Sequence, residues 1–206
     1  MSGDFRKLML GALLSLVLAA CGTTAPSRFY LLTIVHDDSA GVNATRLQKN
    51  AYLGIGPIKF PEYLNRSQIV TRGPGAEVYI ADAQRWAEPL HENFMRVVSE
   101  NLSASLQTQR IAMHPWRNWH DIDYQITIDV IRFDATTEGD VLLIAHWKIN
   151  GQAGRQQLWA EKSTIRVKSS SADYADIVLA HSTAVGQLCQ EIAEKLGQLP
   201  SQGSQE

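Results

Sequence analysis

The chain has 206 residues, and its 19 Lys and Arg against 21 Asp and Glu leave a formal charge of −2, too balanced for a protein that lives on nucleic-acid phosphates. At 45% hydrophobic and 19% charged residues it belongs with globular chains, apart from disordered or collagen-like ones. Two cysteines allow no disulfide framework, and no apolar run reaches the roughly 18–20 residues of a spanning helix.

Arg6 and Lys7 precede an uncharged run over residues 8–20, the length of a signal-peptide core. The run closes on Leu18, Ala19 and Ala20, the two alanines being small residues that fit a signal peptidase, and Cys21 follows. This arrangement resembles the lipobox of bacterial lipoproteins, in which the cysteine sulfur takes a diacylglycerol and the new N-terminus is acylated. Three acyl chains anchor far more firmly than the single chain that binds reversibly. Gly22 stands where an aspartate would resemble an inner-membrane retention signal, so the implied address is the periplasmic face of the outer membrane. The chain divides into a leader over 1–20, a lipidated tether over 21–27, one domain over 28–197 and a flexible tail over 198–206. A tether this short reaches at most about 20 Å. Cys189 is then the remaining thiol, best kept buried in an oxidising compartment.

Apolar runs over 28–35 and 51–58 read as strands, and residues 67–72 and 76–81 flank Gly73, Pro74 and Gly75 as a hairpin. The first helix begins at residue 87, with Leu90, Phe94, Val97, Val98, Leu102 and Leu106 on one face; Glu88, Pro89 and Glu92 suit its first turn. Residues 123–130 alternate strictly, with Tyr124, Ile126, Ile128 and Val130 on one side; the phase slips at Ile131, which predicts a bulge or the strand's end. Strands over 141–149 and 158–167, the second after a turn at Asn150 and Gly151, complete an antiparallel meander. A second helix starts near Asp173, carries Ile177, Val178, Val185, Leu188, Ile192 and Leu196, and is stopped by Gly197 with Pro200 beyond. Two amphipathic helices need a sheet to lie on, so the fold class is α+β, two layers, with a mixed or antiparallel sheet.

Candidate chemistry mostly fails. His91 and Glu92 begin an H-E-x-x-H, but Met95 occupies the second ligand position. Gly54 and Gly56 resemble a dinucleotide loop, but Lys59 replaces the next glycine. His114, His120 and Asp121 follow no metal-ligand ladder, and no metal is expected. Trp116, Arg117 and Trp119 suit either an interaction surface or tryptophans closing the end of the core. His36, Asp37 and Asp38 read as a solvated loop. No catalytic constellation survives.

Two blocks carry a resemblance. One runs from Gly56 through Pro57, Pro61, Tyr63, Leu64 and Arg66 to Arg72; the other holds Arg85, Trp86, Glu88, Pro89 and Leu90. With the lipobox and residues 29–32, the chain is similar to the ABC-transport auxiliary lipoproteins of the PqiC/YmbA type. The resemblance implies a non-catalytic docking component of an intermembrane lipid transport system. Its implied partner is an MCE-domain protein that spans the periplasm, and a ring-like partner would favour a homo-oligomeric collar. No cofactor is implied beyond the acyl groups on Cys21. Pro57 and Pro61 are expected to fix the chain leaving a strand, Tyr63 and Leu64 to pack under it, and Trp86 to staple the first helical turn. Arg66, Arg72 and Arg85 read as a partner surface or as solvated side chains. A periplasmic lipid carrier, an assembly lipoprotein and a metal-dependent hydrolase are the alternatives.

Overall fold

Strict alternation between residues 124 and 130 dictates a strand buried on one face, and that strand organises the sheet around it. The computed structural model describes residues 26–35, 51–116, 121–151 and 154–199. In chain order these hold β1 (Arg28–Tyr30), β2 (Leu53–Lys59), a 3-10 turn (Glu62–Leu64), β3 (Gln68–Arg72), β4 (Val78–Trp86), α1 (Leu90–Leu106), β5 (Ile111–Met113), β6 (Tyr124–Thr136), β7 (Val141–Gly151), β8 (Gln156–Val167) and α2 (Tyr174–Gln198). The eight strands form one mixed sheet on which the two helices pack side by side, the two-layer α+β arrangement that the patterning requires. The leader, Cys21, the 36–38 segment and residues 117–120 lie outside the described residues.

β6 pairs along one edge with β7 in antiparallel register, from Tyr124 opposite Gly151 to Ala135 opposite Val141, and β7 pairs antiparallel with β8. The meander is therefore as expected, and the phase slip at Ile131 is a bulge: the register shifts between Val130 and Arg132 and the strand continues to Thr136. The turn predicted at Asn150 and Gly151 is displaced, because both residues are still paired with β8. On its other edge β6 is shared end to end. β2 runs parallel to its first half, Leu53 opposite Tyr124, and β3 runs parallel to its last residues, Thr71 opposite Ala135. β5 adds to β2, and β4 and β1 extend the sheet beyond β3.

The strand expected over 28–35 is only three residues long. Beyond Tyr30 the backbone is taken by helix side chains instead of a neighbouring strand. The Leu32 N–H donates to Oδ1 of the buried Asn93 at 2.7 Å, and the Thr33 N–H donates to Ser182 Oγ at 3.1 Å. These polar residues on inward helix faces satisfy the arm's backbone as a ladder would.

α1 begins at Leu90 with Pro89 as its N-cap residue, whose carbonyl accepts from the Glu92 and Asn93 amides. All six of its predicted apolar positions are buried. α2 is not stopped by Gly197, which lies inside the helix; it ends at Leu199, in the extended conformation (φ −72°, ψ 138°) that a following proline favours. Cys189 is wholly buried, with its Sγ 3.8 Å from the Val98 carbonyl, and burial pushes the thiol's pKa up, so it is inert at neutral pH.

Candidate functional site

The segment between β2 and β3 must cross the stretch of the β6 edge that neither strand covers, residues 130–134, where Phe133 and Asp134 are consecutive buried residues. Pro61 is the extended residue that opens the Glu62–Leu64 turn, which lays Tyr63 and Leu64 over the gap. Phe60 meets Phe133 and Phe94 edge-on, at centroid distances of 6.5 and 5.1 Å. The Tyr63 hydroxyl donates to Asp134 Oδ2 at 2.8 Å.

Asp134 is fully buried, and its charge is met from three sides. Arg72 Nη2 lies 3.0 Å from one carboxylate oxygen and Arg132 Nε lies 2.7 Å from the other. The Arg72 guanidinium also stands 5.5 Å over the Tyr63 ring. Burial and the hydrogen bond to Asp134 push the Tyr63 phenol up to about 12, so it stays a donor. Arg72, about a quarter exposed, neutralises a buried carboxylate.

Trp86 likewise departs from the stapling role. It ends β4, three residues before the N-cap, and meets the buried His181 ring at 5.8 Å, while Phe133 meets that ring at 4.7 Å. Burial lowers the His181 pKa to about 4, so the imidazole is neutral at pH 7, with Nδ1 2.8 Å from the Ile177 carbonyl and donating to it.

Above this buried layer the two blocks meet in an open groove of about 630 Å³. Leu64, Trp86 and Leu90 are among its buried residues, Ile58 and Phe60 among its half-buried ones, and Glu62, Arg66 and His91 among its exposed polar ones. Phe29 of β1 also lines it while remaining 64% exposed. Several of its polar residues are held in place: Arg66 Nε donates to the Tyr63 carbonyl at 2.9 Å, Asn65 Nδ2 donates to Glu62 Oε1 at 3.2 Å, Arg85 donates to Ser67 Oγ at 3.1 Å, and Glu88 pairs with Arg96. An apolar base with a few fixed polar groups is the form of a binding cleft rather than of a packing defect. The groove joins residues about 20 positions apart in sequence, including Leu64, Arg66, Trp86, Glu88, Pro89 and Leu90 of the two blocks.

Pro57 stays outside the groove, exposed at the far end of β2, where Gly56 adopts a φ of +115° that only glycine tolerates well. Gly54 is a close-packing position rather than a phosphate loop: a Cβ there would lie 2.9 Å from Ile122 and 3.3 Å from Trp116. The half-buried Trp116 ring also meets His114 edge-on at 5.2 Å; its predicted companions Arg117 and Trp119 lie outside the described residues. Among the described residues no three His, Cys, Asp or Glu gather to hold a metal. Sequence reasoning missed Asp134, His181 and Asn93: His181 and Asn93 are polar residues among the apolar ones of a helix face, whereas Asp134 alternates with Arg132 and Thr136 and gave no such signal. It treated Phe29 as part of the resemblance without placing it in a site.

Residues 30–193 match the family of ABC-type transport auxiliary lipoprotein components. The chain belongs to that family. It is 24% identical over 195 residues to the intermembrane transport lipoprotein PqiC of Escherichia coli strain K12, covering 94% of this chain and all of the relative, and it matches the Shigella flexneri protein of the same name equally. Among solved structures it resembles protein XCC0632 from Xanthomonas campestris, with a TM-score of 0.64, 19% identity, and 80% and 92% of the two chains covered. A crystal structure of an uncharacterized protein superposes with a TM-score of 0.68 at 20% identity, over 82% of this chain and 98% of that one. Those structural likenesses establish the fold alone. The two blocks that line the groove fall inside the family match. Among the described residues no helix is long and apolar enough to cross a membrane.

Proposed function

We propose that the chain is held at the periplasmic face of the outer membrane by acyl groups on Cys21 and that its groove docks an MCE-domain protein of an intermembrane lipid transport system. The observation that carries this reading is the convergence of the two blocks on one groove with an apolar base and anchored polar groups. Such a surface can seat a short apolar segment and orient it through Arg66, Glu62 and His91. The name of the E. coli relative, an intermembrane transport lipoprotein, agrees with this role. Copies arranged as a homo-oligomeric collar would suit a ring-like partner. No chemical step is assigned to the domain: its most perturbed groups, Tyr63, His181 and Cys189, are held protonated, neutral and buried respectively.

Photo-crosslinking from a probe at position 66 of the full-length lipidated protein, followed by mass spectrometry of the adducts, tests the reading. Enrichment of an MCE-domain protein supports it, and recovery of only lipopolysaccharide-assembly or cell-wall components sinks it. The groove's apolar base also favours a second reading, a carrier that shelters one acyl chain. Native mass spectrometry of gently purified protein separates the two, because a carrier retains stoichiometric phospholipid and a docking domain does not.

A further inference from the structure

We propose that Val78, Tyr79 and Ile80 form a membrane-contact arm, seated in the interface of the same bilayer that holds the Cys21 anchor; this rests on the anchoring reading above. β1 pairs with β4 in parallel, with Arg28 opposite Gln84. Parallel strands enter the sheet from the same end. The first residues of β4, from Val78 to Ala83, therefore project past the start of β1 toward the end from which the tether arrives. That projection is about 20 Å for six strand residues, and the seven residues from Cys21 to Arg28 span at most about 25 Å. The arm lies within reach of the surface to which the tether leads.

Its composition suits that surface. Val78, Tyr79 and Ile80 are 40%, 47% and 47% exposed, although successive strand residues point to opposite faces and one face of a sheet is ordinarily covered. On one edge they pair with Arg72, Thr71 and Val70 of β3, and the other edge extends beyond β1. Tyr79 has an apolar body and a hydroxyl that donates to Glu77 at 2.6 Å, the form of a side chain that sits at a headgroup boundary. Glu77 and Asp82 flank the arm and Arg72 is engaged with Asp134, so the contact is apolar, not an attraction to anionic headgroups. Three side chains alone would bind a bilayer weakly. A short tether supplies an effective concentration in the millimolar range, enough to keep a weak contact occupied.

The test uses full-length lipidated protein with an environment-sensitive fluorophore on Tyr79→Cys, on Val78→Cys as a second arm position, and on Met113→Cys. Met113 is 46% exposed on β5, at the opposite end of the strand order, and the buried Cys189 is shielded from labelling. In phosphatidylethanolamine and phosphatidylglycerol vesicles with brominated acyl chains, quenching at 79 and 78 is expected to exceed that at 113 several-fold and to persist in high salt. Equal quenching at all three positions, with the protein still bound, overturns the inference and leaves the anchor standing. A blue shift at 79 without bromolipid quenching also overturns it and assigns the arm to a second copy of the chain. An N-terminal peptide without acyl mass, or a Cys21→Ser chain that stays in the membrane fraction, removes the anchor and this inference with it.

Discussion

The β6–β7–β8 meander and the seam where the 56–67 and 85–91 segments meet are built by different rules. The meander has long, continuously paired strands whose registers are interrupted once in each pairing. The seam has a 3-10 turn, a helix start, and a β3–β4 pairing that skips from Gln68 opposite Arg85 to Val70 opposite Ile80. Repetitive strands tolerate many apolar sequences with the same pattern, whereas each joint of the seam requires a particular residue. The two blocks that carry the resemblance lie in the seam. Its groove is then the part of the molecule whose surface can be changed without unfolding the sheet below it, and that contrast can be broken by mutation.

The largest effect is expected where the two regions share a side chain. Phe133 belongs to β6 but packs edge-on against Phe94 of α1 at 5.4 Å and against His181 of α2 at 4.7 Å. Phe133→Ala is expected to cost about 3–5 kcal/mol in urea denaturation, because it opens a cavity under both helices at once. A loss below about 1 kcal/mol would show that the seam, not the meander, holds the helices in place.

His181 makes the same junction sensitive to acid. Its pKa is near 4 when folded and about 6.5 when unfolded, so below pH 6.5 the unfolded chain binds the proton first. The stabilisation is complete above pH 6.5 and declines as the pH falls toward 4, by about 3 kcal/mol in all. Denaturation midpoints measured from pH 7.5 to 4.5 in the native chain and in His181→Gln check the sign and the size. The variant is expected to lose this component of the slope, and an unchanged slope would place the acid sensitivity elsewhere.

Asp134→Asn comes next. It keeps the shape but leaves Arg72 and Arg132 without their counter-charge and weakens the acceptor for Tyr63. Because both guanidinium groups are about a quarter exposed and can be rehydrated, the expected cost is about 2 kcal/mol, below that of a fully buried pair. Thermal denaturation of Asp134→Asn with and without Tyr63→Phe measures how much of it passes through the phenol.

These three residues also mark where sequence reading ends. The apolar faces of α1 and α2 and the bulge at Ile131 are periodicities, and periodicity is local. The burial of Asp134 is not local: it depends on Arg72 and Tyr63, both 62 or more positions away. The early end of β1 depends on Asn93, 61 positions from Leu32, and on Ser182, 149 positions from Thr33. The site was half legible for the same reason. Both blocks stand out as residues, and Leu64 is buried, but their convergence on one groove needs the tandem pairing of β2 and β3 along β6.

The smallest expected effect on stability is the most informative about function. Phe29→Ser and Arg66→Glu alter the groove at two exposed positions, and neither removes a buried contact; Arg66 gives up one hydrogen bond to the Tyr63 carbonyl. Each is expected to shift the unfolding free energy by about 0.5 kcal/mol or less. If the groove docks a partner, both variants lose capture of the MCE-domain protein from lipidated membranes, and Arg66→Glu also changes the salt dependence of capture because it reverses a charge at the contact. If capture survives both, the seam residues serve the fold alone and the docking surface lies outside the groove. Asp134→Asn distinguishes a third case: loss of capture there, with Phe29→Ser and Arg66→Glu unaffected, would mean that the partner senses the rigidity of the seam rather than its surface.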